Sequence, residues 1–148
     1  MNNKIPPPIV TLISGLAIYF SRNIFPNHHG IILDVFSALL LIFGIIIIRS
    51  AFLLFKNHKT TINPLNLTKT SLIVNTGVFK YTRNPMYLGM VFILLSVALK
   101  FNIYGGLIVI LIFFSFITKF QIIPEEKAME KLFGQEFKNY KKTTRRWL

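Results

Sequence analysis

Residues 77–89 read GVFKYTRNPMYLG, a polar and basic stretch that leads directly into a long apolar run. It places Arg83, Asn84 and two tyrosines close to the point where that run begins. Pro85 restrains Asn84 away from helical backbone and is itself suited to the first turn of a helix. We therefore expect a loop up to Asn84, followed by a helix whose entry carries several polar side chains.

Four apolar runs account for most of the chain. They predict membrane spans at about residues 8–24, 31–55, 86–101 and 103–123. About 20 helical residues are needed to cross the hydrocarbon core, so the first run needs its flanks to span. With 53% hydrophobic residues among 148, the chain is too apolar for an ordinary soluble domain. The predicted fold is all-α, a single polytopic membrane domain with four transmembrane helices.

The remaining segments are a loop at residues 56–85 and a helix at 124–142. In the second segment, apolar residues recur at helical spacing and lysines lie mostly on the opposite face. The apolar set comprises Ala128, Met129, Leu132, Phe133, Phe137 and Tyr140. This pattern predicts an amphipathic helix that lies at the membrane interface.

The charge distribution predicts the orientation. The chain has 17 Lys and Arg against 5 Asp and Glu, a net charge of +12. Four spans would place both termini and the 56–85 loop on one side, which then carries nearly all the cations. The positive-inside rule puts that side in the cytoplasm, which fits a bacterial inner-membrane protein with cytoplasmic termini. No basic patch stands apart from the spans, so we expect the lipid bilayer, and no nucleic acid, as a partner.

The sequence offers few residues that could bind a metal or carry out thiol chemistry. There is no cysteine. His28 and His29 are adjacent, so on a helix they would point about 100° apart, and we interpret them as part of a polar loop. We predict no metal site.

Glu125 and Glu126 are the most informative acids. On a helix, Glu125 lies in the middle of the apolar arc and Glu126 near its edge. Because the last two spans return the chain to its starting side, these acids can meet Arg83. A carboxylate on an apolar face needs such a partner. Simpler interpretations remain open: the acids complement a helix dipole, Arg83 binds lipid headgroups, and the nearby tyrosines form an interfacial belt.

The motifs RNPMYLG (83–89), PEE (124–126) and LFGQEF (132–137) with Tyr140 resemble the isoprenylcysteine carboxyl methyltransferase and phospholipid methyltransferase superfamily. The resemblance covers about residues 56–148, including TTINP at 60–64. One departure concerns Asn84, where many members have His. Asparagine can form hydrogen bonds but cannot titrate near neutral pH.

The resemblance implies an integral-membrane enzyme that uses S-adenosylmethionine and a lipophilic acceptor, either prenylated or phospholipid-like. For such a methyl transfer we expect catalytic roles for two residues. Arg83 could orient an acceptor carboxylate or pair with the cofactor carboxylate, and Glu126 is the candidate base for an amine or thiol. The implied cofactor-binding residues are Gly77, Val78, Tyr81, Arg83, Asn84, Tyr87, Gly89, Glu125, Glu126 and Phe133. The alternative is a non-enzymatic membrane assembly protein that docks through its basic cytoplasmic face.

Overall fold

Each predicted span corresponds to a helix in the computed structural model, which describes residues 5–26, 30–57 and 72–148. His28, His29 and the 60–64 motif lie outside the described residues, as does most of the first half of the predicted loop. The helices are α1 (Pro7–Ser21), α2 (Ile31–Asn57), α3 (Pro85–Phe101), α4 (Ile103–Ile117), α5 (Ile123–Phe133) and α6 (Gln135–Thr143). A 3₁₀ turn, Gly77–Lys80, precedes α3, and a π-helical turn, Thr118–Ile122, joins α4 to α5. Within the described ranges the regular elements are all helical.

Helix α3 is the centre of the fold and packs against α1, α2 and α4. Its Leu94 joins Ile18 of α1 and Phe113 and Ile117 of α4 in one core cluster. All four side chains are at most 1% exposed. This core lies between the helices, while the outer faces of α1, α2 and α4 leave large apolar side chains exposed.

Gly89 lets α2 and α3 approach closely. A Cβ at this position would come within 2.8 Å of the Gly44 carbonyl oxygen and would overlap Ile48. Ser37 of α2 and Ser96 of α3 extend the same interface, because the Ser37 hydroxyl donates to the Ser96 carbonyl at 2.9 Å. Small residues that allow close backbone contact are typical of helix packing in membranes.

The last two predicted spans form a tight hairpin. Only Asn102 separates α3 from α4, and its side chain is 2% exposed. Its Oδ1 accepts the Gly105 N–H at 2.7 Å and so caps α4. Its Nδ2 donates to the carbonyls of Phe25 and Pro26, which ties the end of the α1 region to the hairpin.

Two helices of the described chain are long and apolar enough to cross a membrane. They are Ile31–Asn57 and the continuous helix Ile103–Phe133, which includes the π turn. The apolar part of the second ends at Ile123, before Pro124. Only 17% of the most apolar stretch of Ile31–Asn57 is buried inside the protein. A core helix of a soluble protein would be mostly buried, so this exposure indicates association with a membrane.

The prediction of one amphipathic helix at 124–142 is wrong, because the structure divides this segment into two helices. Its first half, α5, continues directly from α4 through the π turn. Its second half, α6, is separated from α5 at Gly134, whose φ of 53° and ψ of −118° break the helix. The apolar face of α6 is also used inside the protein, since Phe137 and Tyr140 pack against Ile73.

Candidate active site

The loop before α3 is shaped by Thr82 and Pro85. Asn84 has non-helical backbone (φ −126°, ψ 54°), as the proline after it requires. Its N–H donates to Thr82 Oγ1 at 3.1 Å, and its carbonyl accepts the Leu88 N–H at 3.0 Å. These contacts place Arg83 at the entry of α3, with its side chain directed toward the C-terminal helices.

The predicted meeting of Arg83 with the acids is confirmed for Glu126. Arg83 Nη2 lies 2.7 Å from Glu126 Oε1, and each side chain is only 9% exposed. A second cation completes the cluster, because Arg146 Nη2 lies 2.7 Å from Glu126 Oε2 and its Nε 3.1 Å from Oε1. The carboxylate therefore binds two guanidinium groups, and the three side chains together retain one positive charge.

Arg83 is not fully satisfied by these contacts. Its Nη1 donates to the carbonyls of Lys141, at 3.4 Å, and Thr144. Its Nε is buried and has no hydrogen-bond partner among the described residues. Buried polar atoms are almost always paired, so an unpaired Nε on a buried arginine marks a place where a ligand oxygen could bind.

Glu125 has a different environment, although it is adjacent in sequence. The Tyr87 hydroxyl donates to Glu125 Oε1 at 2.6 Å and links α3 to α5. Burial raises the pKa of the Glu125 carboxyl to about 7, against the smaller opposing effect of this hydrogen bond. Burial also opposes ionisation of Glu126, but the hydrogen bonds from Arg146 and Arg83 outweigh it and lower the pKa of that carboxyl. Both acids lie beyond the predicted span. Although they are adjacent, the pKa of Glu125 is raised and the pKa of Glu126 is lowered.

The π turn brings Glu126 onto the buried face of this helix. The buried positions from Ile110 to Glu126 are Ile110, Phe113, Ile117, Gln121, Ile122 and Glu126. Up to Gln121 they follow steps of three and four residues, and from Ile122 to Glu126 the step is again four. The π turn contains the adjacent buried pair Gln121 and Ile122, so the buried face shifts there by one residue. An ordinary α-helix would rotate Glu126 about 100° further round and off the buried face.

Deleting Phe120 is therefore expected to destabilise the protein far more than shortening the Phe120 side chain to alanine. The deletion would restore α-helical spacing and separate Glu126 from Arg83, leaving a buried charge without its partner at a cost of about 3 kcal/mol. Phe120→Ala keeps the length of the turn and serves as the matched control. Unfolding in mixed detergent micelles measures the difference, and equal stability of the two variants would contradict this role of the turn.

The last residues of the chain pass back across the cluster. The Arg83 N–H donates to the Arg145 carbonyl at 2.9 Å, and Thr82 forms a parallel bridge with Arg145. Thr82 Oγ1 and Asn84 Nδ2 both donate to the Arg146 carbonyl, at 3.2 and 2.9 Å. Asn84, at the position where many superfamily members have histidine, therefore holds the main chain of the C-terminal residues in place.

Trp147 fixes the end of this segment, which we call the C-terminal strap (residues 144–147). Its indole stacks on Phe114 with ring centroids 4.3 Å apart, and its Nε1–H donates to Thr118 Oγ1 at 3.2 Å. The strap therefore contacts the loop before α3, Glu126 and the π turn.

Five of the predicted site residues lie together: Arg83, Asn84, Tyr87, Glu125 and Glu126. The other five are placed elsewhere: four have contacts that serve the fold, and Tyr81 lies at the surface. Gly77 lies against Leu54 of α2, and Val78 packs in a neighbouring apolar cluster. Tyr81 is 74% exposed. Gly89 faces α2, and Phe133 packs in the cluster around Phe137 and Tyr140.

Sequence reasoning did not find Arg146. Two arginines beside a tryptophan, as at residues 145–147, are typical of an anchor at a membrane surface, so the local pattern does not point to a site. A usable signal was the scarcity of acids: with only 5 acids in the chain, a buried Glu126 could attract any of the 17 cations. The pattern could not say which cation the fold would bring to it.

The fold and this cluster define a helical, membrane-associated protein with a buried arginine–carboxylate site at one end of its bundle. Comparison with known families extends this description. A sequence model of the phospholipid methyltransferase family matches residues 33–136, and the chain belongs to that family. The predicted superfamily is thereby confirmed. Membership indicates methyltransferase activity on a lipid-type substrate.

One curated relative covers a smaller part of the chain. An uncharacterized protein of Haemophilus influenzae is 40% identical over 63 residues, which is 43% of this chain and the whole of that protein. No solved structure matches the chain significantly.

Proposed function

We propose that this protein transfers a methyl group from S-adenosylmethionine to a lipid acceptor in the membrane. The observation that carries the proposal is the convergence of Arg83 with Glu126, and of Tyr87 with Glu125, at the two segments that hold the family motifs. S-adenosylmethionine supplies an electrophilic methyl group when bound. The residues described above would bind it, orient it and exclude water.

The residues present fit such a cofactor. Arg83 offers a buried Nε–H without a partner, and the Arg83–Glu126–Arg146 cluster has one excess positive charge. Both features suit a carboxylate, which the amino-acid end of the cofactor carries. Glu125 lies close by, and its side-chain oxygen can accept hydrogen bonds from ribose hydroxyls.

We propose a phospholipid amine as the acceptor and a prenylated carboxylate as the alternative. An ammonium must lose a proton before its nitrogen can accept a methyl group, so an amine acceptor requires a base. Glu126 is the poorer candidate, because two arginines stabilise its charged form. We assign the base to Glu125, whose carboxylate accepts a hydrogen bond from Tyr87 among the described residues and would take the proton. Asn84 cannot fill this role, because its amide does not titrate.

We also propose that all four helices α1 to α4 cross the bacterial inner membrane and that both termini are cytoplasmic. Helices α1 and α3 have 15 and 17 residues, so they need their flanks to reach across about 30 Å. Exposed apolar side chains along α1, such as Leu12, Ile13 and Phe20, support contact with lipid. The candidate site then lies at the cytoplasmic end of the bundle, where the cofactor is available.

A methyl-transfer assay tests the proposal. Purified protein is incubated with S-adenosylmethionine labelled in the methyl group, and with phosphatidylethanolamine vesicles or a prenylated cysteine in detergent. We expect label in the phospholipid, at the nitrogen. Label only in the prenylated compound would replace the acceptor, and a failure of the cofactor to bind or to raise the melting temperature would favour an assembly protein.

A further inference from the structure

We propose that the C-terminal strap is a working part of the site, and that Arg146 is a positioning residue that holds Glu126 against Arg83. The inference rests on the proposed function and adds the C-terminal segment to the site. It is carried by the contacts of the strap itself.

Arg146 holds Glu126 from the open side of the cluster. Its side chain is 37% exposed, whereas those of Glu126 and Arg83 are 9% exposed. Its Nε and Nη2 contact both carboxylate oxygens, which fixes the orientation of the carboxylate as well as its charge. Because Oε1 also accepts from Arg83, the orientation of Arg83 depends on Arg146.

The main chain of the strap strengthens this dependence. Arg83 donates its own N–H to the Arg145 carbonyl and its Nη1 to the Thr144 carbonyl. Asn84 donates to the Arg146 carbonyl from the other side of the loop. Displacing the strap would therefore remove acceptors from a buried arginine and leave its donors unpaired, which is costly.

The strap is anchored beyond Arg146 as well. Trp147 stacks on Phe114 of α4 and donates to Thr118 in the π turn that aims the two acids. One short segment thus joins the arginine loop, the acid-bearing helix and the bundle core. No single one of these contacts would require a functional role, but together they couple the position of the strap to the geometry of Arg83 and Glu126.

The experiment compares Arg146→Ala, Arg146→Lys and Lys142→Ala in the full-length protein. Lys142 is an exposed cation in the last turn of α6, so its removal controls for the loss of one charge near the C-terminus. Trp147 is the only tryptophan in the chain, and acrylamide quenching of its fluorescence therefore reports on the strap without any cofactor. Calorimetry with S-adenosylmethionine and steady-state kinetics report on the site.

For Arg146→Ala we expect stronger quenching and about tenfold weaker cofactor affinity. We expect the rise in KM for the cofactor to exceed the fall in kcat, because the residue acts on cofactor binding through Glu126. Arg146→Lys should fall between Arg146→Ala and wild type, since lysine keeps the charge but loses the fork. Lys142→Ala should match wild type in all three measurements.

Two results would overturn the inference. Unchanged quenching in Arg146→Ala would show that the arginine does not hold the strap. Increased quenching with wild-type cofactor affinity and kinetics would show that the strap is structural only. A wild-type protein that binds no S-adenosylmethionine would instead refute the proposed function, and the quenching data would still decide whether Arg146 holds the strap.

Discussion

Replacing Arg83 by alanine is expected to weaken cofactor binding by roughly 100-fold and to reduce methyl transfer accordingly. The variant loses the buried Nε–H, the ion pair with Glu126 and the donors to two main-chain carbonyls. Hydrogen bonds to charged groups and buried ion pairs of this kind contribute about 3 kcal/mol, or roughly a 100-fold change in affinity. Glu126 keeps Arg146 as a partner, so we expect the chain to remain folded.

Calorimetry on the purified variant measures this loss, with two controls. Lys80→Ala removes an exposed cation from the same loop and should leave the affinity unchanged. Arg83→Lys keeps the charge but loses Nε and the planar fork, so it should also bind poorly if geometry matters. Cofactor affinity within threefold of wild type for Arg83→Ala, about 0.7 kcal/mol, would refute the assignment of Arg83 to the cofactor.

Replacing Glu125 by glutamine is expected to lower kcat by about 100-fold while leaving cofactor affinity nearly unchanged, because a general base contributes a factor of this size. Glutamine has nearly the same shape, and its carbonyl oxygen can still accept the Tyr87 hydroxyl hydrogen that Glu125 accepts at 2.6 Å. It cannot take a proton. Glu136→Gln, at an exposed position of α6, makes the same chemical change away from the site and should behave as wild type.

The pH profile gives an independent measure of the same assignment. Burial raises the pKa of the Glu125 carboxyl to about 7. A base acts in its deprotonated form, so the wild-type rate should rise as pH increases through about 7. The lipid amine also loses its proton as pH rises, which makes the comparison with Glu125→Gln essential. If the variant retains both its rate and the wild-type rise near pH 7, Glu125 is not the base.

The local sequence pattern was sufficient to predict the helices and the proximity of the two motifs. Apolar runs long enough to span a membrane must satisfy their backbone polar groups within helices. With Asn102 alone between them, two such helices can be joined only by a tight turn. The hairpin then returns Glu126 to the side of Arg83, whatever the details of packing. This is why the pair at 2.7 Å could be expected from residue order.

The local sequence pattern was not sufficient to predict the role of a side chain whose position depends on a neighbouring helix. Gly89 sits inside a motif, yet its position is explained by the Gly44 backbone across the α2–α3 interface. Phe133 has the chemistry to stack on an adenine, but it packs in the apolar cluster around Phe137 and Tyr140. The break at Gly134 changes the direction of the chain and brings α6 into that cluster. Helical periodicity tolerates one glycine, so the sequence pattern did not reveal the break.

The amino-acid sequence by itself determined an all-helical chain, its family and the pairing of Arg83 with an acid, because hydrophobic runs and short connections leave few arrangements. Tertiary structure alone decided that Glu126 binds a second arginine and that Glu125 is left to Tyr87. A π turn adds one residue to the helix and so rotates the two adjacent carboxylates about the helix axis. The C-terminal strap then folds back onto them. Both effects depend on packing between segments that lie far apart in sequence.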